Sequence, residues 1–207
     1  TPLSLREREE RVYNEIMSGN IPTFLRELRL IDVVVESDGL VWNLSYYVTP
    51  DYMAVGSDED YFLIPMTPIL AQEIADSLGL SLITRKMVDA VWLHAELQVE
   101  PIPIDPSSDM VTIPVFADHN ELVWTQRMET IDQFPLGTLV AGNKKDVVLS
   151  NQIVDNENKV VIYGWHRTNG QPIQPLYSGH INWYADYSHG IRFAHAQCRV
   201  NGEERSV

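Results

Sequence analysis

The chain has 207 residues, of which 44% are hydrophobic, so it is long enough to bury a substantial core and has the composition of an ordinary globular protein. Fifteen basic residues against twenty-nine acidic ones give a formal net charge of −14, which argues against binding to nucleic acid or to an anionic membrane surface. The single cysteine, Cys198, excludes an internal disulfide and a cysteine-rich zinc site, and no apolar run approaches the roughly 20 residues of a membrane span.

Helix signals dominate the first two-thirds of the chain. Ser4 and Glu7 form a capping box, and Thr67 followed by Pro68 is a typical helix start. Helices are predicted over residues 5–18, 23–29 and 68–78, after Thr84, and from a capping box at Asp118 and Glu121 to about Ile131. The segment after Thr84 carries apolar residues at helical spacing, which predicts a face that packs on the core.

Strand signals lie before, between and after these helices. The apolar runs at 31–35 and 40–48 flank a Ser-Asp-Gly turn and predict a β-hairpin. Further strands are predicted over residues 51–56, 60–65, 139–141, 146–149, 160–163 and 185–193. The pattern predicts an α+β fold, with helices mainly in the first two-thirds and a mostly antiparallel β-sheet at the C-terminal end. A proline-rich connector ending at Pro106 divides the chain into regions 1–106 and 107–207, either separate or parts of one continuous domain.

The last quarter of the chain concentrates the residue types that most often carry chemistry. Four of the six histidines fall within thirty residues there: His166, His180, His189 and His195. Imidazole is the commonest general acid or base near neutral pH, so this crowding predicts a site. We interpret His166, Asp186 and His189 as catalytic, and we expect these residues and Arg192 to share one cleft at the strand ends.

The alternation of side chains along a strand assigns the residues of segment 185–193 to two opposite faces. In an extended strand, Asp186, Ser188 and Arg192 project to one side, and His189 projects to the other, mostly apolar side. Ser188 and His189 therefore do not form a nucleophile–base pair, and His189 is either a tuned base or a core histidine. Substrate contacts are predicted for Lys145, Trp165, Trp183, Tyr187, Ser188 and Arg192.

Zinc is the cofactor to consider. His180, Asp186 and His189 offer the mixed nitrogen and oxygen ligands of a catalytic zinc site, and we assign His180 a metal role on that basis. The spacing matches no helical His-x-x-x-His arrangement. Cys198 lies outside this set, and without a basic cluster beside it we interpret it as a small buried hydrophobic residue.

His166 together with Ser188-His189-Gly190 resembles the signature of the bacterial L,D-transpeptidases, in which an upstream histidine precedes a Ser-His-Gly-Cys segment. The resemblance covers about residues 136–195. It implies a β-rich catalytic domain that acts on cell-wall peptides. Ile191 stands where that family has its nucleophilic cysteine, and the gap from His166 is longer than the family's. The resemblance thus implies either another nucleophile or the loss of thiol chemistry.

The leading functional prediction is a hydrolase that cleaves an amide bond, or an ester or glycosidic bond, in a cell-envelope or extracellular substrate. Acid–base or metal-assisted activation of water would carry the reaction. A non-catalytic module that binds a glycan or a peptide on tryptophan and tyrosine side chains is the alternative, and a structural protein whose histidines only pack is a third reading. The polar start at Thr1, which is not an initiator methionine, favours a secreted or periplasmic location.

Overall fold

The computed structural model describes residues 3–154 and 156–207, so Thr1 lies outside the described residues. The chain folds as an α+β protein, as the sequence predicts. Its helices are α1 (Leu5–Met17), α2 (Pro68–Leu78), α3 (Arg85–His94) and α4 (Ile113–Met128). Its strands are β1 (Arg29–Ser37), β2 (Leu40–Val48), β3 (Ala54–Gly56), β4 (Tyr61–Leu63), β5 (Leu80–Leu82), β6 (Leu97–Gln98), β7 (Val140–Ala141), β8 (Lys145–Val147), β9 (Ile162–His166), β10 (Pro172–Tyr177), β11 (His189–Gly190), β12 (Phe193–Val200) and β13 (Glu203–Ser206).

Capping residues set most of the helix starts, and one predicted start and one predicted helix length need correction. Ser4 caps α1 with the predicted capping box, and Thr67 and Thr84 accept hydrogen bonds from the first turns of α2 and α3. The prediction that a helix begins at Asp118 is wrong, because α4 starts after Thr112 with proline in its first turn, where the fixed φ favours helix initiation. The helix predicted over 23–29 is a single 3₁₀ turn, Thr23–Arg26.

The largest sheet has the strand order β1-β2-β12-β13, and β5 also pairs with β12. The predicted hairpin of β1 and β2 is present, with an uninterrupted register from Arg29 opposite Val48 to Ser37 opposite Leu40. Its turn needs two residues with positive φ, and Asp38 (φ 54°) and Gly39 (φ 74°) provide them. The turn residues therefore account for the register of the whole hairpin.

The second sheet has the order β10-β9-β8-β11 and carries the residues of interest. β8 pairs antiparallel with β9 and parallel with the two-residue strand β11. Within β9 the backbone turns left-handed at Gly164 (φ 100°) and Trp165 (φ 55°), which interrupts strand alternation just before His166.

The two halves of the sequence share their sheets and their core. β2 pairs with β12, and β6 pairs with β7, so both pairings cross position 106. One large core cluster contains Leu70 and Ile191, and the other contains Val88 and Ala194. In the part of the chain that the structure describes, no helix is both long and apolar enough to cross a membrane.

Candidate active site

The strand predicted over 185–193 is interrupted, and the interruption creates the candidate site. Residues 185–188 form a loop and turn, β11 holds only His189 and Gly190, and β12 begins at Phe193. The His189 amide donates to the Asp186 carbonyl oxygen at 3.0 Å, which closes a turn. The predicted alternation of side chains is therefore wrong, and Asp186, Ser188 and His189 converge instead of pointing to opposite sides.

Asp186 is a buried carboxylate that accepts hydrogen bonds on both oxygens. Lys145 Nζ lies 2.9 Å from Oδ2, and the Tyr184 hydroxyl donates to the same atom at 3.1 Å. The Ser188 amide and hydroxyl donate to Oδ1 at 2.9 and 2.6 Å. Burial opposes ionisation, but His189, Lys145 and Ser188 outweigh it and hold the pKa of Asp186 well below its usual value. Asp186 is therefore ionised at neutral pH.

His189 is oriented through one ring nitrogen and lacks a contact at the other. Its Nδ1 lies 3.0 Å from the Asp186 amide nitrogen and 3.1 Å from Asp186 Oδ1. Nδ1 can thus accept from the amide or, when protonated, donate to the carboxylate. Its Nε2 is buried and has no hydrogen-bond partner among the described residues. Burial lowers the pKa of His189, although Asp186 acts in the opposite direction, so the ring is neutral near pH 7.

A loop covers this pair. The Tyr184 ring meets the His189 ring edge-on with centroids 5.6 Å apart, and His180 stacks on Tyr184 at 4.0 Å. Next to them Trp183 is 51% exposed and lines a groove of about 400 Å³ together with α1 and α2. The other lining residues are Arg6, Glu9, Glu10, Tyr13, Ile69, Leu70 and Glu73. His189 therefore lies beneath Tyr184, and the neighbouring Trp183 borders an open groove.

His166 belongs to a second aspartate–histidine pair. Its Nε2 lies 3.3 Å from Asp89 Oδ1 on α3, and the Tyr163 hydroxyl donates to the same oxygen at 2.6 Å. Burial lowers the pKa of His166, and Asp89 partly offsets this effect. The structure therefore brings Asp186 and His189 into contact and holds His166 against α3.

Three residues predicted to bind substrate have structural contacts instead. Lys145 and Ser188 hold the Asp186 carboxylate. The Arg192 guanidinium donates to the carbonyl oxygens of Thr49 and Val140, each at 2.7 Å, and lies over the Tyr52 ring. These contacts satisfy the buried charges and tie the turn to the sheet.

The aromatic residues predicted to bind substrate fall into two groups. Trp165 and Tyr187 are buried in a cluster with Phe116, and the Trp165 indole nitrogen has no partner in the described part of the chain. Trp183 is exposed. A surface platform can therefore use Trp183 but not the two buried rings.

The predicted zinc shell is not assembled. Within residues 3–154 and 156–207, no group of three or more histidine, cysteine, aspartate or glutamate side chains could hold a metal ion. The oxygens of Asp186 already face amide, hydroxyl and ammonium donors, and His189 Nδ1 faces Asp186. His180 stacks on Tyr184 instead of pointing into a ligand cluster.

Sequence reasoning missed a second buried network, centred on Lys144. The Lys144 ammonium donates to the Tyr187 carbonyl oxygen at 2.6 Å and contacts His119 Nδ1 at 2.9 Å. His119 Nε2 therefore donates to the Ile102 carbonyl oxygen at 2.9 Å. Burial lowers the pKa of Lys144 to about 7, and burial with the nearby lysine lowers that of His119 to about 3. The one available signal was a Lys-Lys-Asp run between apolar strands, which resembles a solvated hairpin tip.

Asp146 and Tyr52 extend this network. The Tyr52 hydroxyl lies 2.9 Å from Asp146 Oδ2 and 2.9 Å from the Lys144 carbonyl oxygen. Burial raises the pKa of Asp146 to about 7, and its Oδ1 has no partner among the residues described. A Cβ at Gly164 would lie 3.4 Å from Asp146 Oδ2 and 3.5 Å from His166 Nδ1. Gly164 thus separates Asp146 from the second pair.

Comparisons with known proteins do not indicate a function, so a functional proposal has to rest on the geometry of this site. No protein-family model matches the chain, and neither a curated protein nor a solved structure matches it. Ile191, at the position of the transpeptidase cysteine, is fully buried in the main core cluster. The Ser188 hydroxyl donates to Asp186, so Ser188 positions the carboxylate.

Proposed function

We propose that the protein is a hydrolase in which His189, positioned by Asp186, acts as a general base on water. The single observation that carries the proposal is the unpartnered Nε2 of a buried imidazole whose Nδ1 faces an ionised carboxylate. A general base requires this combination of one oriented nitrogen and one free nitrogen. Buried histidines that only pack normally have their polar atoms satisfied.

The surrounding residues suit this role. The Asp186 amide donates to Nδ1 in the resting geometry, so the proposed cycle begins when Nδ1 takes the ring proton and donates it to Asp186 Oδ1 instead. Nε2 then carries the lone pair that accepts a proton from water as the oxygen adds to the carbonyl carbon. The imidazolium then returns this proton to the leaving nitrogen, and the carbon–nitrogen bond breaks. Lys145 and Ser188 keep Asp186 ionised, which stabilises the imidazolium between the two transfers.

Substrate access requires movement of the covering loop. His189 is fully buried, and the Tyr184 ring packs against it. In the proposed cycle, residues 178–184 swing outward, and the substrate enters from the groove beside Trp183. Lid movements of this kind are common in enzymes that exclude water from a base. The Ser188-His189-Gly190 resemblance supports an amide bond in a cell-envelope peptide as the first substrate class to test.

A binding module that lacks catalysis is the second candidate. The observation in its favour is the groove of about 400 Å³ lined by the exposed Trp183 ring. A stacking surface needs area and shape but no proton transfer. Such a module would bind a peptide or glycan and leave it intact.

The test combines a substrate panel with two matched variants. Purified peptidoglycan, model peptides, esters and glycosides are incubated with the protein, and new products are quantified by chromatography with mass spectrometry. We expect amide products, and we expect His189→Gln to lower their rate by about 100-fold or more, because general-base catalysis contributes about 10²–10⁴. His195→Gln is the control, since His195 is exposed on β12.

Two results would overturn the proposal that the protein is a hydrolase. One is equal product formation by the wild type and His189→Gln. The other is intact substrate throughout the panel combined with binding that Trp183→Ala abolishes, which would establish the binding module instead.

A further inference from the structure

The outer edge of β1 is an open strand edge of unusual length. In the described chain β1 pairs only with β2 and stands at the end of the largest sheet. Its nine residues, Arg29–Ser37, contain no proline and no lysine, and their register with β2 has no bulge. Proline, lysine, bulges and other charged side chains normally keep an edge strand from pairing with another chain, and of these β1 has only the three charged residues Arg29, Asp32 and Glu36.

The opposite edge of the same sheet, formed along β12 by β13 and the three-residue strand β5, has such protection. β13 is only four residues long, and three of them, Glu203, Glu204 and Arg205, are charged and exposed. Short, charged strands are poor templates for pairing. The two edges of one sheet therefore differ in the property that decides whether a further strand can join.

β1 also exposes apolar side chains on both faces. On one face Leu30 is 49% exposed and Val34 is 67% exposed. On the other face Val33 and Val35 line an apolar groove of about 450 Å³ between the sheet and α3. Leu30 and Val34 alternate on their face with Asp32 and Glu36, so the edge combines apolar contacts with charges, and exposed apolar side chains on both faces are typical of a surface that another protein covers.

We propose that β1 pairs antiparallel with β1 of a second copy of this chain, around a two-fold axis at Val33. Such an axis is perpendicular to the sheet, so it places residues of the same face opposite one another. Val33 is the central residue of β1, and this register therefore pairs all nine positions. The pairs are Val33 with Val33, Ile31 with Val35, Arg29 with Ser37, Asp32 with Val34, and Leu30 with Glu36.

Charge selects this register over its neighbours. Centring the axis on Asp32 would place the two Asp32 carboxylates opposite each other. Centring it on Val34 would place Asp32 opposite Glu36 twice. Like charges directly across a strand pair are destabilising, whereas the Val33 register contains no such pair. It also brings the apolar grooves of the two copies together at the axis, because Val33 and Val35 line them.

Cysteine crosslinking tests the register. In a Cys198→Ala background, Val33→Cys places two thiols directly opposite, where the Cα separation of about 4.5–5.5 Å permits a disulfide. Val34→Cys is the matched control, because its two thiols lie two residues apart along the strands, about 8 Å between Cα atoms, which is too far for a disulfide. We expect mild oxidation to convert Val33→Cys to covalent dimer and to leave Val34→Cys uncrosslinked.

Sedimentation equilibrium tests the association of the unmodified chain. We expect the mass of a dimer over roughly a hundredfold range of protein concentration. Val33→Lys, checked for folding by circular dichroism, should sediment as a monomer, since it sets two lysines opposite each other. Val34→Lys should remain dimeric, since each lysine then faces the partner's Asp32. A monomeric wild type, or crosslinking of Val34→Cys equal to that of Val33→Cys, would refute the proposal.

Discussion

The two aspartate–histidine pairs have the same chemical groups in different surroundings. Asp186 is buried and saturated with donors, whereas the Asp89 side chain is 38% exposed on the surface of α3. His189 is oriented through Nδ1 and His166 through Nε2. The comparison predicts that the number of hydrogen-bond donors around each carboxylate, more than the aspartate–histidine contact itself, decides how much each pair contributes to stability.

Burial also changes what the loss of one member costs. Removing one partner of a buried ion pair leaves an uncompensated charge, whereas an exposed pair contributes little because water screens it. Lys145, with a nearly buried side chain, depends on Asp186 for its counter-charge. The Asp186 pair is therefore expected to be essential to the fold and the Asp89 pair dispensable.

The largest expected effect is on stability. Asp186→Asn should lower the free energy of unfolding by about 3–5 kcal/mol, because it leaves the Lys145 ammonium buried without a carboxylate. Asp89→Asn is the matched control and should cost no more than about 1 kcal/mol. Urea unfolding at pH 7 measures both. Equal losses in the two variants would show that burial does not distinguish the pairs.

The pH dependence of the stability of the wild type and of Asp186→Asn follows from the direction in which the pKa of Asp186 is shifted. Because the folded-state pKa of Asp186 is lowered, its contribution is present above the unfolded pKa of about 3.9 and is lost as the pH falls further. The wild type should therefore lose stability below about pH 4 more steeply than Asp186→Asn does. Parallel curves for the two proteins would contradict an ionised Asp186.

A smaller effect is expected at Gly164, beside the second pair. Alanine there must adopt φ 100° and would place its Cβ 3.0 Å from Val88 Cγ1, so we expect a loss of about 2 kcal/mol or more. Gly79→Ala is the control, because Gly79 has φ 67° but open space around it, and it should cost about 1 kcal/mol. Urea midpoints compare the two. A Gly164→Ala protein as stable as the control would show that the neighbours of Gly164 yield easily.

The smallest expected effect is the titration of His166. Burial places its pKa below the ordinary value of about 6.5, and Asp89 favours the protonated ring. Asp89→Asn should therefore move the titration midpoint of His166 to still lower pH. Ring resonances followed by NMR across the acidic range measure the midpoint. An upward shift in the variant would mean that Asp89 does not stabilise the imidazolium.

Local sequence signals predicted the elements that local forces determine. The capping box at Ser4 and the Asp38-Gly39 turn each specify a conformation within a few residues, and both are present. The apolar stripe of α3 is also confirmed, with Val88 and Val91 buried. The predicted start of α4 was wrong because the helix begins at a proline in its first turn and not at the predicted capping box.

The sequence predicted where the candidate site lies in the chain, but it did not predict which of its side chains are in contact. Asp186, Ser188 and His189 lie close together in the sequence, and this was visible. Their side chains converge because of a turn, and the sequence pattern predicted a continuous strand there instead. Tyr184 was visible as an aromatic, but its hydrogen bond to Asp186 was not. The contact of His119 with Lys144 joins a helix to the bend before β8 and leaves no local pattern. Such tertiary contacts require the fold to be known first.

The pairing of β2 with β12 has a consequence for biosynthesis. The β1–β2 hairpin leaves the ribosome well before β12, because residues 49–192 are synthesised between them. Until then both edges of the hairpin are open, together with Leu40, Val41 and Trp42 near its tip, which stay exposed in the folded protein. Closing a loop of this length is entropically costly and slows folding. The nascent chain is therefore expected to be a substrate for chaperones that bind unpaired apolar strands.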